Sequence, residues 1–271
     1  MVVQPFFLPV GDGQRFCLFH QAHGGGAKGA ILYIHPFAEE MNKARRMAAL
    51  QSRALAIAGY DVLQLDLLGC GDSSGDFSDA TWQIWRTDVL EGCRWLRKHS
   101  VAPLCLWGLR AGCLLATEVS EELTESADLI FWQPVVSGKL HWQQFMRLKM
   151  AGELASGQSK GVGEQVRRQL ANGQSIEIAG YIISPELVEG LEKSELAPPL
   201  GNGGRMAWFE LSTREDANLA PISLKRIEQW KAAGLVVTSS LAIGPAFWQT
   251  TEISDAPELL TKTLAILESW Q

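Results

Sequence analysis

The sequence predicts an α/β fold, a mostly parallel sheet wrapped by helices. Two observations carry that prediction. Apolar runs of strand length alternate with longer amphipathic segments along most of the chain, and the run PLCLWGLRAGCLLA, residues 103–116, sets two glycines around a tight bend between a buried strand and a helix. With 271 residues, 46% of them hydrophobic, the chain can bury one large core.

The elements follow in order. FFLPVGDGQRFCLFHQA reads as two short strands around Gly11-Asp12-Gly13, an antiparallel hairpin at the edge of the sheet. The glycine-rich HGGGAKG then leads into AILYIHP, a β-branched and aromatic strand that ends at Pro36. From Asn42 to about Ala58 a helix is expected, with Met47, Leu50, Ala54 and Ile57 as its apolar stripe, Arg45 pointing away and Gly59 closing it. YDVLQLDL is the next buried strand, followed by the loop LGCGDSSGDFSDA and a Trp- and Leu-rich helix from about Thr81 to Lys98. PLCLWG, RAGCLLATEVSEEL and ADLIFWQPV read as strand, helix and strand. Between 136 and 204 the pattern loosens into helical pieces broken by Gly, Ser and Pro, ending in LAPPLGNGGR. That segment is expected to be a cap over the carboxyl edge of the sheet, leaving 1–135 and 205–271 as the core. MAWFELS, SLKRIEQWKAAG, LVVTSSLAI and APELLTKTLAILESW complete the core as strand, helix, strand and helix.

A net charge of −6 gives no electrostatic footprint for nucleic acid or anionic lipid. Cys17, Cys70, Cys93, Cys105 and Cys113 are odd in number and lack metal-ligand spacing, so they read as reduced thiols in a cytoplasm and no metal site is expected. No basic region precedes the first apolar run, which Pro5 and Pro9 interrupt, so a signal peptide is not expected; no window reaches the length of a membrane span. GCGDSSGDF lacks the G-K-[ST] ending of a phosphate loop, Ser73 and Ser74 have no base adjacent in sequence, and no cofactor is expected.

The chemistry turns on WGLRAG. It has the frame of a G-x-S-x-G nucleophile elbow, in which the central residue takes a strained conformation and the glycines, here Gly108 and Gly112, avoid steric collision. The central residue is Arg110. A guanidinium offers no lone pair and stays protonated in water, so it cannot be the nucleophile. Cys113 should face the core one turn into the helix. The histidine of a catalytic triad normally follows the last strand, where this chain has Phe247 and Trp248, and no histidine occurs beyond His141. His35, at a strand end beside Pro36, is expected to be a hydrogen-bonded structural group at the pocket.

Other parts of an acyl-transfer site could persist. The acid position offers Glu215 and Asp216 in STREDANL, which would face Arg110 or form a solvated turn. Backbone N–H groups of Phe37 and Ala111 stand at the two oxyanion-donor positions, which do not depend on side-chain identity. Glu39 and Glu40 in HPFAEEMN are rim candidates, either bonding Arg110 or serving as a charged helix start.

HPFAEEMNKARRM, LDLLGCGDSSGDF, LWGLRAG and FWQPVVSGKLHWQQFMRLKMA, in order over about residues 35 to 151, with GPAFWQTTEI in the tail, resemble the α/β-hydrolase superfamily. More narrowly they resemble the hydrolase-like proteins associated with the exosortase A system, the group labelled hydrolase two. The resemblance implies an eight-stranded, mostly parallel sheet, a cap after the sixth strand, an arginine as the usual elbow residue, and a bacterial setting of exopolysaccharide synthesis and PEP-CTERM protein sorting. Two functional expectations follow. One is a pocket without a Ser-His-Asp triad that binds an anionic or acylated small molecule. The other is a hydrolase or acyl transferase of unconventional mechanism, with Glu215 or Asp216 activating water beside Arg110. An interaction scaffold would instead require a broad exposed apolar patch around the tryptophans of the cap. The sequence does not set the oligomeric state.

Overall fold

In a computed structural model, residues 3–155, 161–199 and 204–271 are described. The chain opens with β1 (Val3–Val10) and β2 (Gly13–His20), paired antiparallel with Val10 opposite Gly13. Gly11 takes φ +57, the left-handed value a two-residue hairpin loop requires. Next come β3 (Ala30–Ile34), α1 (Glu39–Ile57), β4 (Asp61–Leu65), a 3-10 turn (Phe77–Asp79), α2 (Trp82–His99), β5 (Leu104–Leu109), α3 (Gly112–Glu122) and β6 (Asp128–Trp132). The segment that follows holds α4 (Gly138–Ala155), α5 (Val162–Ala171), a hairpin of β7 (Ile176–Ile178) and β8 (Tyr181–Ile183), and α6 (Pro185–Lys193). The core resumes with β9 (Arg205–Ser212), α7 (Pro221–Ala232), β10 (Val236–Ile243) and α8 (Pro257–Ser269).

The eight core strands lie in the order β1-β2-β4-β3-β5-β6-β9-β10. β2 runs antiparallel to both of its neighbours, and every pairing from β4 to β10 is parallel. Helices cover both faces, which explains why β3 and β5 are buried along their whole length and read as continuous apolar runs. Alternate residues feed two cores. Leu32, Leu106, Phe131 and Trp208 pack with Trp85 and Trp230 on one face; Ile31, Trp107, Trp132 and Phe209 pack with Phe247 and Leu259 on the other.

The buried stripe of α1 differs from the expected one. Met41, Ala44, Met47, Ala48, Gln51, Ser52, Leu55 and Ala56 face inward, while Ile57 is exposed. Two polar residues on the inner face misdirect a pattern based on hydrophobicity alone. Ser52 is tolerated there because Gln64 Nε2 donates to its hydroxyl at 2.7 Å. Arg45, expected to point away, reaches Asp66 at 2.9 Å. Gly59 ends the helix at φ +97 as expected.

The insertion between β6 and β9 is not wholly helical, since it contains the β7–β8 hairpin. Part of its expected exit run, residues 200–203, lies outside the described residues, as do 156–160. It is held against the loops at the carboxyl ends of β3 and β4 and against the start of α2. A Cβ on Gly190 would lie 2.2 Å from Trp82 Cβ, and one on Gly138 would lie 1.8 Å from the Leu191 carbonyl, so two helix contacts depend on glycine. Ser184 Oγ donates to the Ala80 carbonyl at 2.6 Å. Glu118 of α3 accepts from Trp82 Nε1 at 3.0 Å and also from the Ser194 hydroxyl. Tyr181 packs edge-on against Phe77 with ring centroids 5.0 Å apart.

Candidate functional site

The site is built where β5 turns into α3. Arg110 takes φ +55, a left-handed value that costs a non-glycine residue about 1–3 kcal/mol. Surrounding bonds hold it there. Its N–H donates to the Trp132 carbonyl at 3.0 Å, and its carbonyl accepts from Cys113 at 3.1 Å. A Cβ on Gly108 would lie 2.6 Å from Cys113 Cα, and one on Gly112 would lie 2.3 Å from the Ile34 carbonyl oxygen. Both glycines are therefore sterically required by the bend.

The Arg110 side chain keeps 11% of its surface. Its Nε donates to Glu40 Oε1 at 3.3 Å, and its Cζ lies 5.4 Å from the centroid of the Trp248 ring, within cation–π range. Among the described residues its Nη1 and Nη2 donate to no acceptor, so the edge of the guanidinium suited to a bidentate anion is unoccupied. Glu40, in the first turn of α1, has its Oε2 buried without a partner among the described residues. Burial pushes the Glu40 carboxyl up, and the adjacent guanidinium opposes that shift.

Phe37 and Ala38 form the loop after β3, with Ala38 at φ +49. Neither the Phe37 nor the Ala111 N–H has a hydrogen-bond partner among the described residues. The Phe37 ring is the hub of an aromatic wall, edge-on to Phe77, Trp85, His141 and Phe145 at centroid distances of 5.7, 5.9, 6.0 and 5.2 Å. Phe247 is fully buried against Trp132 and Trp248. The Trp248 Nε1 is buried and has no partner among the described residues.

His35 is a latch. Its Nε2 accepts from Leu67 N–H at 3.2 Å, which leaves Nδ1 to donate to the Pro36 carbonyl at 2.8 Å. Burial lowers its pKa, so it stays neutral between β3 and the loop after β4. Glu39 is half-buried and turns toward Lys43, 4.0 Å away, and not toward Arg110.

One sequence expectation is corrected, a carboxylate of STREDANL facing Arg110; its alternative, the solvated turn, is what the structure has. Glu215 and Asp216 are exposed, and Asp216 is held in a two-point pair with Arg214 at 3.0 and 2.7 Å, so neither carboxylate meets Arg110. Both lie in a turn that leaves β9 toward solvent. The buried acid at the end of β9 is Glu210, which accepts from Trp208 Nε1 at 3.3 Å and Ala220 N–H at 3.0 Å and so closes the β9–α7 loop. The insertion's tryptophan, Trp142, is buried and contributes no exposed apolar patch.

Ser73 and Ser74 are structural. Ser73 Oγ accepts from Phe16 N–H at 2.9 Å, and Ser74 Oγ accepts from Gln14 N–H at the same distance, tying their loop to β2. Cys113 is fully buried, and burial holds its thiol well above the ordinary range. Among the described residues no three His, Cys, Asp or Glu side chains are placed to hold a metal ion, and no helix is long and apolar enough to cross a membrane.

Sequence reading missed His141. It lies in the first turn of α4, is 4% exposed, and neither ring nitrogen has a partner among the described residues. Burial first, and then Arg110, push its pKa down to about 3. The available signal was local: His141, Trp142, Phe145 and Met146 share one helical face, and that face is apolar except for the imidazole.

No protein-family profile matches the chain. Human protein ABHD12B is 30% identical over 110 residues, which cover 40% of this chain and 29% of the human protein. Solved structures match over nearly the whole length. A putative hydrolase from Agrobacterium vitis S4 has a TM-score of 0.63 at 14% identity, covering 99% of this chain and 98% of that one. Est1E from Butyrivibrio proteoclasticus, solved with ferulic acid bound, scores 0.62 at 11% identity, covering 98% and 97%. Mouse α/β-hydrolase domain-containing protein 10 scores 0.61 at 16% identity, covering 99% and 100%. The architecture is the α/β-hydrolase fold, with an eight-stranded, mostly parallel sheet flanked by helices.

Proposed function

We propose that this chain is an α/β-hydrolase-fold protein without serine-histidine-acid catalysis, which binds an anionic or acylated small molecule at Arg110, beneath the insertion between β6 and β9. One observation carries the reading: Arg110, at φ +55, stands at the tip of the bend where a nucleophile would stand and leaves its Nη edge unoccupied. A guanidinium cannot attack carbon, yet it binds carboxylate or phosphate strongly when partly desolvated. The unpartnered N–H groups of Phe37 and Ala111 add two donors suited to an oxygen of the same ligand. Est1E, which shares the fold, is solved with an aromatic carboxylic acid bound, and a ligand of that kind suits the aromatic wall around Phe37.

The exosortase A and exopolysaccharide setting, in a bacterial cytoplasm, belongs to this proposal. It rests on the motifs HPFAEEMNKARRM, LWGLRAG and GPAFWQTTEI and on five unpaired thiols. The unconventional hydrolase that would use Glu215 or Asp216 has no geometric support, because both side chains are exposed.

The test has two arms. A serine-directed fluorophosphonate probe should leave the purified protein unlabelled, and carboxylates with apolar tails should raise the melting temperature of the wild type but not of Arg110→Gln. A labelled residue, or turnover of short acyl esters that Glu40→Gln abolishes, would overturn the reading.

A further inference from the structure

A buried polar group without a partner carries a desolvation cost that something in the working state of the protein can offset. His141 is such a group. The insertion delivers it to the Arg110 site, where its ring meets Phe37 at 87° and Arg110 is the charge that acts on it. Arg110 and Glu40 already neutralise each other there. A monocarboxylate arriving on the Nη edge would bring an unbalanced negative charge into a nearly dry place, and a new cation must appear to offset it.

We propose that His141 is the second ligand-binding group of this site: it takes up a proton when a monocarboxylate with an apolar tail seats on Arg110, so that the carboxylate is held between guanidinium and imidazolium. The inference rests on the anion-binding reading above. The rings of Phe37, Phe145 and Trp248 favour an apolar tail, and one imidazolium balances a monoanion but would leave the second charge of a phosphate dianion uncompensated. Burial and Arg110 keep the imidazole neutral in the empty site, and a ligand's negative charge acts in the opposite direction on the same nitrogen. The titratable groups that face His141 are Arg110 and, through it, Glu40. Charged side chains on α5, α6 and β7, the elements packed against α4, are exposed, apart from the half-buried Glu192.

The experiment is titration calorimetry of the full chain with octanoate and with inorganic phosphate, between about pH 6 and about pH 8, in buffers of different protonation enthalpy. Octanoate should bind with uptake of close to one proton, and its affinity should fall about tenfold per pH unit as pH rises. His141→Gln should bind octanoate more weakly than the wild type at about pH 6, and its remaining affinity should lose the pH slope. Because that variant could fold poorly, histidine-labelled wild type gives a second readout by NMR: the His141 ring should be neutral alone and protonated at saturation. Octanoate binding that requires Arg110 but takes up no proton overturns this inference and leaves the anion-binding reading standing. A slope that persists in His141→Gln assigns the proton to Glu40 and also overturns it. Phosphate binding more tightly than octanoate overturns the ligand class, and no binding of either anion at any pH overturns both readings.

Discussion

The Nε of Arg110 and the Oε1 of Glu40 lie 3.3 Å apart, joining the tip of the β5–α3 bend to the first turn of α1. The contact is single and long, and it uses the side of the guanidinium that leaves the Nη edge free. A pair formed for stability alone would gain more from a two-point geometry like that of Arg46 with Asp255, at 2.7 and 2.8 Å. Glu40 therefore orients Arg110 without occupying it.

Unpairing the two should be costly, and the cost should depend on pH. Arg110→Met leaves a carboxyl 12% exposed with no counterion, which is expected to destabilise the fold by about 3 kcal/mol at neutral pH. Burial already holds the Glu40 pKa above its ordinary value, so at lower pH the group protonates and the loss shrinks. The double variant Arg110→Met with Glu40→Met should recover most of the stability. Urea denaturation at two pH values measures this; a loss below about 0.5 kcal/mol would mean the pair behaves as an exposed one.

Arg110→Ser restores the G-x-S-x-G text but should not produce an esterase. The reason differs from the one the sequence suggests, which was that no histidine is at hand. His141 does lie at the site, but its burial, the larger cause of its lowered pKa and one that remains when Arg110 is removed, leaves it too weak a base to activate serine near neutrality. Release of p-nitrophenol from p-nitrophenyl acetate should stay at the wild-type level, and a gain of about a hundredfold would show His141 acting as a base.

How much of this was legible beforehand divides along physical lines. The central strands β3 to β6 and β9 and the elbow could be read because parallel strands covered on both faces are continuous apolar runs, and because Gly108 and Gly112 mark a bend that admits no Cβ; the edge hairpin was marked by its Gly11-Asp12-Gly13 turn. The face of α1 was misread because Gln51 and Ser52 are buried. Glu215 and Asp216 were chosen for their position after a strand, and sequence does not say that their turn faces solvent or that Arg214 captures one of them. His141 was passed over because an insertion's docking is set by tertiary contacts such as Gly190 against Trp82, not by a local pattern.

His141 should also leave a signature in the stability of the ligand-free protein. Its folded pKa of about 3 lies below the unfolded value of about 6.5, so below the latter the unfolded state binds the extra proton. Stability should therefore fall as pH drops through that window, by at most about 1.4 kcal/mol per unit from this group. Glu40, whose pKa is raised, works in the opposite direction, and His20, pushed to about 4 by burial, in the same one. The diagnostic is thus the difference between wild type and His141→Phe in chemical denaturation across the window. A difference that does not change with pH would show that His141 is already charged in the folded protein.

The bend itself can be tested at Gly112. A methyl group there would meet the Ile34 carbonyl oxygen at 2.3 Å and the His35 carbonyl oxygen at 2.8 Å, both backbone atoms at the end of a central strand that cannot swing aside. Gly112→Ala should cost about 2–3 kcal/mol by overpacking and, by pushing β3 away from α3, should move the Phe37 loop so that anion binding weakens even in the folded fraction. Gly163, in the first turn of α5 with nothing within 4 Å of its Cβ position, is the control. Gly163→Ala should be neutral or stabilising by up to about 1 kcal/mol. Denaturation midpoints of the two variants measure the contrast, and a Gly112→Ala protein as stable as the Gly163→Ala protein would mean that the β5–α3 bend can relax away from β3.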